Sequence, residues 1–127
     1  MNKKKILFIE DEIDQIVMVQ TRLEGSGYEV IGAMDGEEGL KKVHEENPDL
    51  ILLDLIIPKI DGFEVCRRLR GCPDTSNIPV IVITASGTRD VEGKCRAVGA
   101  DEIIRKPYES TDLVSKIKAL LREQSVK

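Results

Sequence analysis

Pro48-Asp49-Leu50-Ile51-Leu52-Leu53-Asp54-Leu55-Ile56-Ile57-Pro58 is an almost unbroken apolar run with one carboxylate, Asp54, near its far end. A run without polar alternation reads as a strand covered on both faces, which implies a parallel sheet with helices on each side. Aspartate is seldom buried without a partner. At the end of a central strand, Asp54 either forms a turn before Pro58 or faces the crevice in which parallel sheets bind ligands.

The flanking sequence repeats the strand-then-helix alternation. Before the run, Lys5–Ile9 reads as a short buried strand ending in Glu10-Asp11-Glu12, and a helix follows over Ile13–Glu24 with Ile13, Ile16, Val17 and Leu23 facing inward. The three acids suit the free N–H groups of that helix start, so simple capping is one reading of them. Tyr28–Ala33 supplies a second strand. Asp35 and Glu38 fit a capping box for a second helix, with Leu40 and Val43 inward. After the run, Pro58-Lys59-Ile60-Asp61-Gly62 turns into a helix from Phe63 to about Arg70, with Phe63, Cys66 and Leu69 inside. Ile78–Thr84 is a fourth strand that stops at a hydroxyl. Ala85-Ser86-Gly87 leads through Thr88 into a helix with Val91, Cys95 and Val98 half-buried. Gly99–Arg105 forms the fifth strand and its approach, and Leu113, Val114, Ile117, Leu120 and Leu121 stripe the last helix. Five such units make an α/β, doubly wound, five-stranded parallel sheet with helices on both faces; a closed eight-unit barrel needs about twice the length.

Composition narrows the function classes. With 127 residues, 33% charged and 41% hydrophobic, residues 1–127 read as one soluble globular domain. No apolar stretch approaches the roughly 20 residues a bilayer span needs, so no membrane association is expected. Cys66, Cys72 and Cys95 lack metal-ligand spacing and read as reduced thiols of a cytoplasmic protein. The net charge of −4 and the absence of tryptophan argue against direct nucleic-acid binding. Arg67, Arg68 and Arg70 read as a solvated, partner-facing edge, and His44, without a serine or second histidine partner, reads as a solvated helix-end residue.

Glu10, Asp11, Asp54, Thr84 and Lys106 all fall at or just beyond the C-terminal ends of expected strands, which share one rim in a parallel sheet. Asp11 and Asp54 offer hard oxygens for Mg²⁺, with Glu10 acting through water. Lys106 is a fixed positive charge and Thr84 a neutral donor. That set suits phosphoryl transfer onto an aspartate, and Asp54 is the acceptor because the central strand delivers it. No acyl-transfer triad, phosphate-binding Gly-Lys-Ser/Thr loop or dinucleotide-binding glycine loop is present.

Ile6-Leu7-Phe8-Ile9-Glu10-Asp11-Glu12, Leu52-Leu53-Asp54 through Asp61-Gly62, Val82-Ile83-Thr84-Ala85 and Lys106-Pro107-Tyr108 occur in that order at strand ends. Together they resemble the receiver domain of bacterial response regulators, the family that includes the stand-alone chemotaxis regulator, and the resemblance covers essentially the whole chain. It implies the flavodoxin-like strand order 2-1-3-4-5. It also implies phosphorylation at Asp54 and Mg²⁺, or Mn²⁺ in its place, on Asp11, Asp54 and the backbone carbonyl of Ile56, with Glu10 binding through water. Lys106 and Thr84 would contact the phosphoryl group. Pro107 would follow a cis bond, and the small Ala85 would leave room for phosphodonor or phosphatase chemistry. Ile103 stands where the family often has a switch tyrosine or phenylalanine. Ile56 is apolar where some fast-dephosphorylating members are polar.

The function implied is a phosphoacceptor switch of a two-component system or phosphorelay, not an enzyme with turnover of an external substrate. Its donor would be a histidine kinase or histidine phosphotransfer protein. Its output would be a downstream protein, a separate output domain or a homodimer, acting through a face spanning about Thr88–Lys127. The alternatives are a phosphorylation-independent interaction module and an aspartate-nucleophile phosphohydrolase; the latter lacks an Asp-x-Asp pair and a substrate cap.

Overall fold

The computed structural model describes residues 3–85 and 88–125, with side chains described through residue 121. Ser86 and Gly87 of the expected loop, and the extreme ends of the expected 1–127 unit, lie outside the described residues. Five strands, β1 Lys5–Ile9, β2 Glu29–Ala33, β3 Leu50–Asp54, β4 Val80–Thr84 and β5 Glu102–Arg105, alternate with α1 Ile13–Glu24, α2 Gly36–Glu46, α3 Gly62–Gly71, α4 Arg89–Ala97 and α5 Ser110–Ser125. All strand pairs are parallel, in the order β2-β1-β3-β4-β5. The sheet reverses its winding direction beside β1 and β3, and this opens a crevice at their C-terminal ends.

The apolar run behaves as its composition dictates. Every β3 and β4 residue is buried, and alternate side chains enter two separate cores. Ile6, Phe8, Leu50, Leu52, Ile81, Ile83 and Ile104 pack with α1 and α5. Leu7, Ile9, Ile51, Leu53, Val80, Val82 and Ile103 pack with α2, α3 and α4. Central strands therefore lose their hydrophobic alternation because both faces are covered.

Three local expectations are corrected. In α1 the buried side chains are Ile16, Val19 and Leu23, whereas Ile13 and Val17 are 55% and 51% exposed. Their stripe is rotated away from the sheet. At the start of α2, Asp35 caps Glu38 N at 2.7 Å, but the Glu38 carboxylate accepts from Met34 N rather than from Asp35 N. The three arginines of α3 also divide. Arg67 and Arg68 pair with Glu64 in solvent, while Arg70 turns back onto the carbonyls of Ser76, Ile78 and Gly99.

Candidate functional site

Register builds the site. Ile9 lies opposite Leu53, Asp54 opposite Ile83, and Thr84 opposite Arg105. Residues at and just after these positions consequently share one rim, and the chain's main polar groups gather there. Asp54 and Thr84 are buried at the ends of β3 and β4. Lys106 N donates to Thr84 O at 2.9 Å, which prolongs the β4–β5 ladder by one bond and sets the direction of the lysine. The Lys106–Pro107 peptide is cis, as the resemblance implies.

The Lys106 ammonium donates to Asp54 Oδ2 at 2.8 Å and stands 3.5 Å from Glu10 Oε1. Asp54 Oδ1 accepts from Ile56 N at 2.9 Å, so both carboxylate oxygens are oriented. Glu10 is 1% exposed. Its Oε2 accepts from Glu12 N at 3.1 Å, but its Oε1 is buried without a hydrogen-bond partner. Burial, a hydrogen bond to Asp54 and the Asp54 charge push the Glu10 carboxyl up to about 7, against the pull of Glu12 N–H and Lys106. The link to Asp54 requires a proton between the acids; with both ionised, the unpartnered oxygen faces a neighbour of its own sign. Burial opposes the Lys106 charge, yet the hydrogen bond and charge of Asp54 prevail and raise its pKa. Burial likewise raises Tyr108, whose ring lies next to Lys106 in sequence.

Two crowded carboxylates, one with an orphaned oxygen, match the preference of a hard divalent cation for oxygen donors. Asp11 sits on the same rim with an exposed side chain. Among the described residues, no three Asp, Glu, His or Cys side chains stand together as a preformed cation site. Ile56 is 79% exposed at the mouth beside Asp54. Ala85 is exposed as well. Ile103 is half-buried against the α4 side of the sheet, where it fills core space as an aliphatic group. His44 is exposed near the end of α2, away from the polar cluster in sequence and fold.

The loops around Asp54 are stapled to one another. Gly36 N donates to Pro58 O, and a Cβ on Gly36 would stand 2.1 Å from Ile60 O, so α2 starts directly against the loop after β3. Lys59, at φ 71°, pairs with Asp35 and Glu37 of that helix start. Sequence reading missed this brace, since a glycine at a helix start carries no sign of what lies against it. The turn at 58–62 opens α3 as the sequence implies, and there Asp61 caps Glu64 N at 3.0 Å while Gly62 packs on the Asp54–Leu55 backbone.

A family model of the response regulator receiver domain matches residues 6–118. The chain is 41% identical over 123 residues to the alkaline phosphatase synthesis transcriptional regulatory protein PhoP of Bacillus subtilis, covering 97% of this chain and 50% of that protein. It is 38% identical over 118 residues to the phosphate regulon transcriptional regulatory protein PhoB of Rhizobium meliloti, covering 93% and 52%. The chain thus spans about half the length of these curated relatives. Among solved structures, a CheY-like receiver domain protein of Methanospirillum hungatei superposes with a TM-score of 0.91 at 31% identity, covering 98% of each chain. The chemotaxis protein CheY4 of Vibrio cholerae gives 0.88 at 28% identity, covering 94% of this chain and 99% of that one.

Proposed function

The chain belongs to the response regulator receiver domain family, and from that premise we propose that it takes a phosphoryl group on Asp54 from a partner phosphohistidine. The observation that carries the reading is the 2.8 Å contact between Lys106 Nζ and Asp54 Oδ2 beside the buried, half-unpartnered Glu10. One Asp54 oxygen forms the new bond to phosphorus as the phosphorus–nitrogen bond of the donor breaks, and the imidazole leaves with that bond's electrons. Lys106 offsets charge on the phosphoryl oxygens, Ile56 N holds Asp54 in line, and Thr84 donates to the modified group. Ala85 leaves the approach open. We assign Asp11, Asp54 and the Ile56 carbonyl, with Glu10 through water, to hold Mg²⁺ or Mn²⁺, which would supply positive charge to the transferring oxygens.

The unit is read as one receiver over residues 1–127, acting in the cytoplasm; the three free cysteines suit that compartment. No helix among the described residues is long and apolar enough to cross a membrane. The donor is a histidine kinase or phosphotransfer protein, and the output is a downstream protein, an attached domain or a second copy. Several relatives are named transcriptional regulators, and they are about twice as long as the matched region. The acidic balance of this chain argues that nucleic acid is not its own direct ligand. Turnover of an external phosphoester is not part of the reading.

The test is mass spectrometry after treatment with acetyl phosphate, with and without Mg²⁺. A single Mg²⁺-dependent phosphoryl increment mapping to Asp54, and absent from Asp54→Asn, is expected. An equal increment on Asp54→Asn, or an adduct mapped elsewhere, overturns the assignment.

A further inference from the structure

β2 is an outer strand of the sheet, with β1 on one side and no strand on the other. Glu29 N donates to Lys4 O and Ala33 O accepts from Glu10 N, so residues 29, 31 and 33 turn their peptide groups toward β1. Val30 and Gly32 turn theirs outward. A row of outward carbonyls and N–H groups on an outer strand is a template on which another strand can pair.

Here the outward carbonyls are already taken, by side chains from the two helices that flank the strand. Gln20 of α1 donates from Nε2 to Val30 O at 3.2 Å, and Lys42 of α2 donates from Nζ to Gly32 O at 2.7 Å. Lys42 is held in turn by Glu38 Oε2 at 3.5 Å, while Glu38 Oε1 accepts from Met34 N just past the strand end. Val30 O, Gly32 O and Met34 N, all on the outer side, thus carry side-chain partners. Gln20 and Lys42 take no part in the contacts around Asp54.

The strand that would fit this edge follows from its register. A two-fold axis beside Ile31 sets β2 antiparallel to β2 of a second copy, with Val30 opposite Gly32 and Gly32 opposite Val30. Each outward N–H of one strand then finds an outward carbonyl of the other, and the acceptors are the two carbonyls that Gln20 and Lys42 occupy. Glu29 would stand opposite Ala33, so no like charges meet. We propose that the outer edge of β2 is a strand-pairing surface for a second copy of this chain, kept shut by Gln20 and Lys42 with Glu38 steadying the lysine. A pair of five-residue strands is weak by itself, so occupying two carbonyls in each copy is enough to close the edge and leave association to other faces. The inference stands apart from the phosphoacceptor reading.

Sedimentation equilibrium and residue-resolved amide exchange of the full chain test this. Gln20→Ala combined with Lys42→Ala should self-associate at least about ten-fold more tightly than the wild type. Exchange at the amides of residues 30 and 32 should slow by about ten-fold where the variant is paired. Lys41→Ala makes the same change of charge one residue away, on a side chain 73% exposed that pairs with Glu45, and should behave as the wild type. Gln20→Met combined with Lys42→Met keeps the long apolar stems, so it reads the same loss of donors should the double alanine variant fail to fold. No gain in association in a folded double variant, an equal gain in Lys41→Ala, or association without slower exchange at 30 and 32 overturns the proposal.

Discussion

Lys106 and Asp54, 52 residues apart in the chain, meet at 2.8 Å between Nζ and Oδ2, and Glu10 Oε1 stands 3.5 Å from the same ammonium. One cation therefore serves two acids in a partly dry site. Lys106→Ala removes it and leaves like charges facing each other without compensation. In metal-free buffer at pH 8 the variant should lose about 1–3 kcal/mol of stability by urea denaturation, and Mg²⁺ should restore more stability to the variant than it adds to the wild type. Equal Mg²⁺ responses in the two proteins would contradict a shared site for the lysine and the metal.

Glu10 gives the metal-free protein a pH dependence of defined sign. Its carboxyl is raised from an ordinary 4.5 to about 7, so the folded state binds the proton more tightly than the unfolded chain does. The stability linked to that proton is fully present below about pH 4.5 and is lost as pH rises through about 7. Glu10→Gln keeps an acceptor for Glu12 N and offers Asp54 a permanent donor. The variant should be the more stable protein above pH 7, by about 3 kcal/mol at most, and the difference should vanish toward pH 4.5. Parallel stability curves for the two proteins across that range would contradict the assignment.

The brace behind Asp54 is sensitive to a single methyl. Gly36 N donates to Pro58 O, and a Cβ at this position would stand 2.1 Å from Ile60 O and 2.9 Å from Ile60 C. Those neighbours are backbone, so relief requires moving α2 or the loop. Gly36→Ala should cost about 1–3 kcal/mol, despite the better helix propensity of alanine, and should shift the amide resonances of residues 55–60. A neutral or stabilising result would show that the loop yields easily.

What could be read from residues alone divides along physical lines. The β3 run was decisive because full burial on both faces leaves an unmistakable composition, and Glu10, Asp54, Thr84 and Lys106 were found because a parallel sheet gathers strand ends on one rim. The phase of α1 was ambiguous. Ile13, Ile16, Val17, Met18, Val19 and Leu23 wrap most of the helix, so periodicity alone did not choose Ile16–Val19–Leu23 over the neighbouring stripe. The role of Arg70 was hidden for another reason. Its partners Gly99 and Asp101 are 29 and 31 residues away, while Arg67 and Arg68 beside it belong to solvent. The Gly36–Ile60 contact was equally silent, since tertiary proximity leaves no local pattern.

On the proposed phosphoacceptor reading, the mouth of the site is expected to set the lifetime of the modified state. Ile56 is 79% exposed two residues beyond Asp54, and its N–H already holds Asp54 Oδ1 at 2.9 Å. An exposed aliphatic group so near the acceptor can neither orient an attacking water nor take its proton. Ile56→Asn adds a donor and an acceptor there while the backbone bond to Asp54 is kept. Phosphoryl loss, followed by radiolabel or mass after the donor is removed, should be several-fold faster in the variant, and Ile56→Val should match the wild type. Equal lifetimes for all three would locate control of hydrolysis elsewhere on the rim. Faster loss in Ile56→Val would point to bulk, rather than the lack of a polar group, as what shields the acylphosphate.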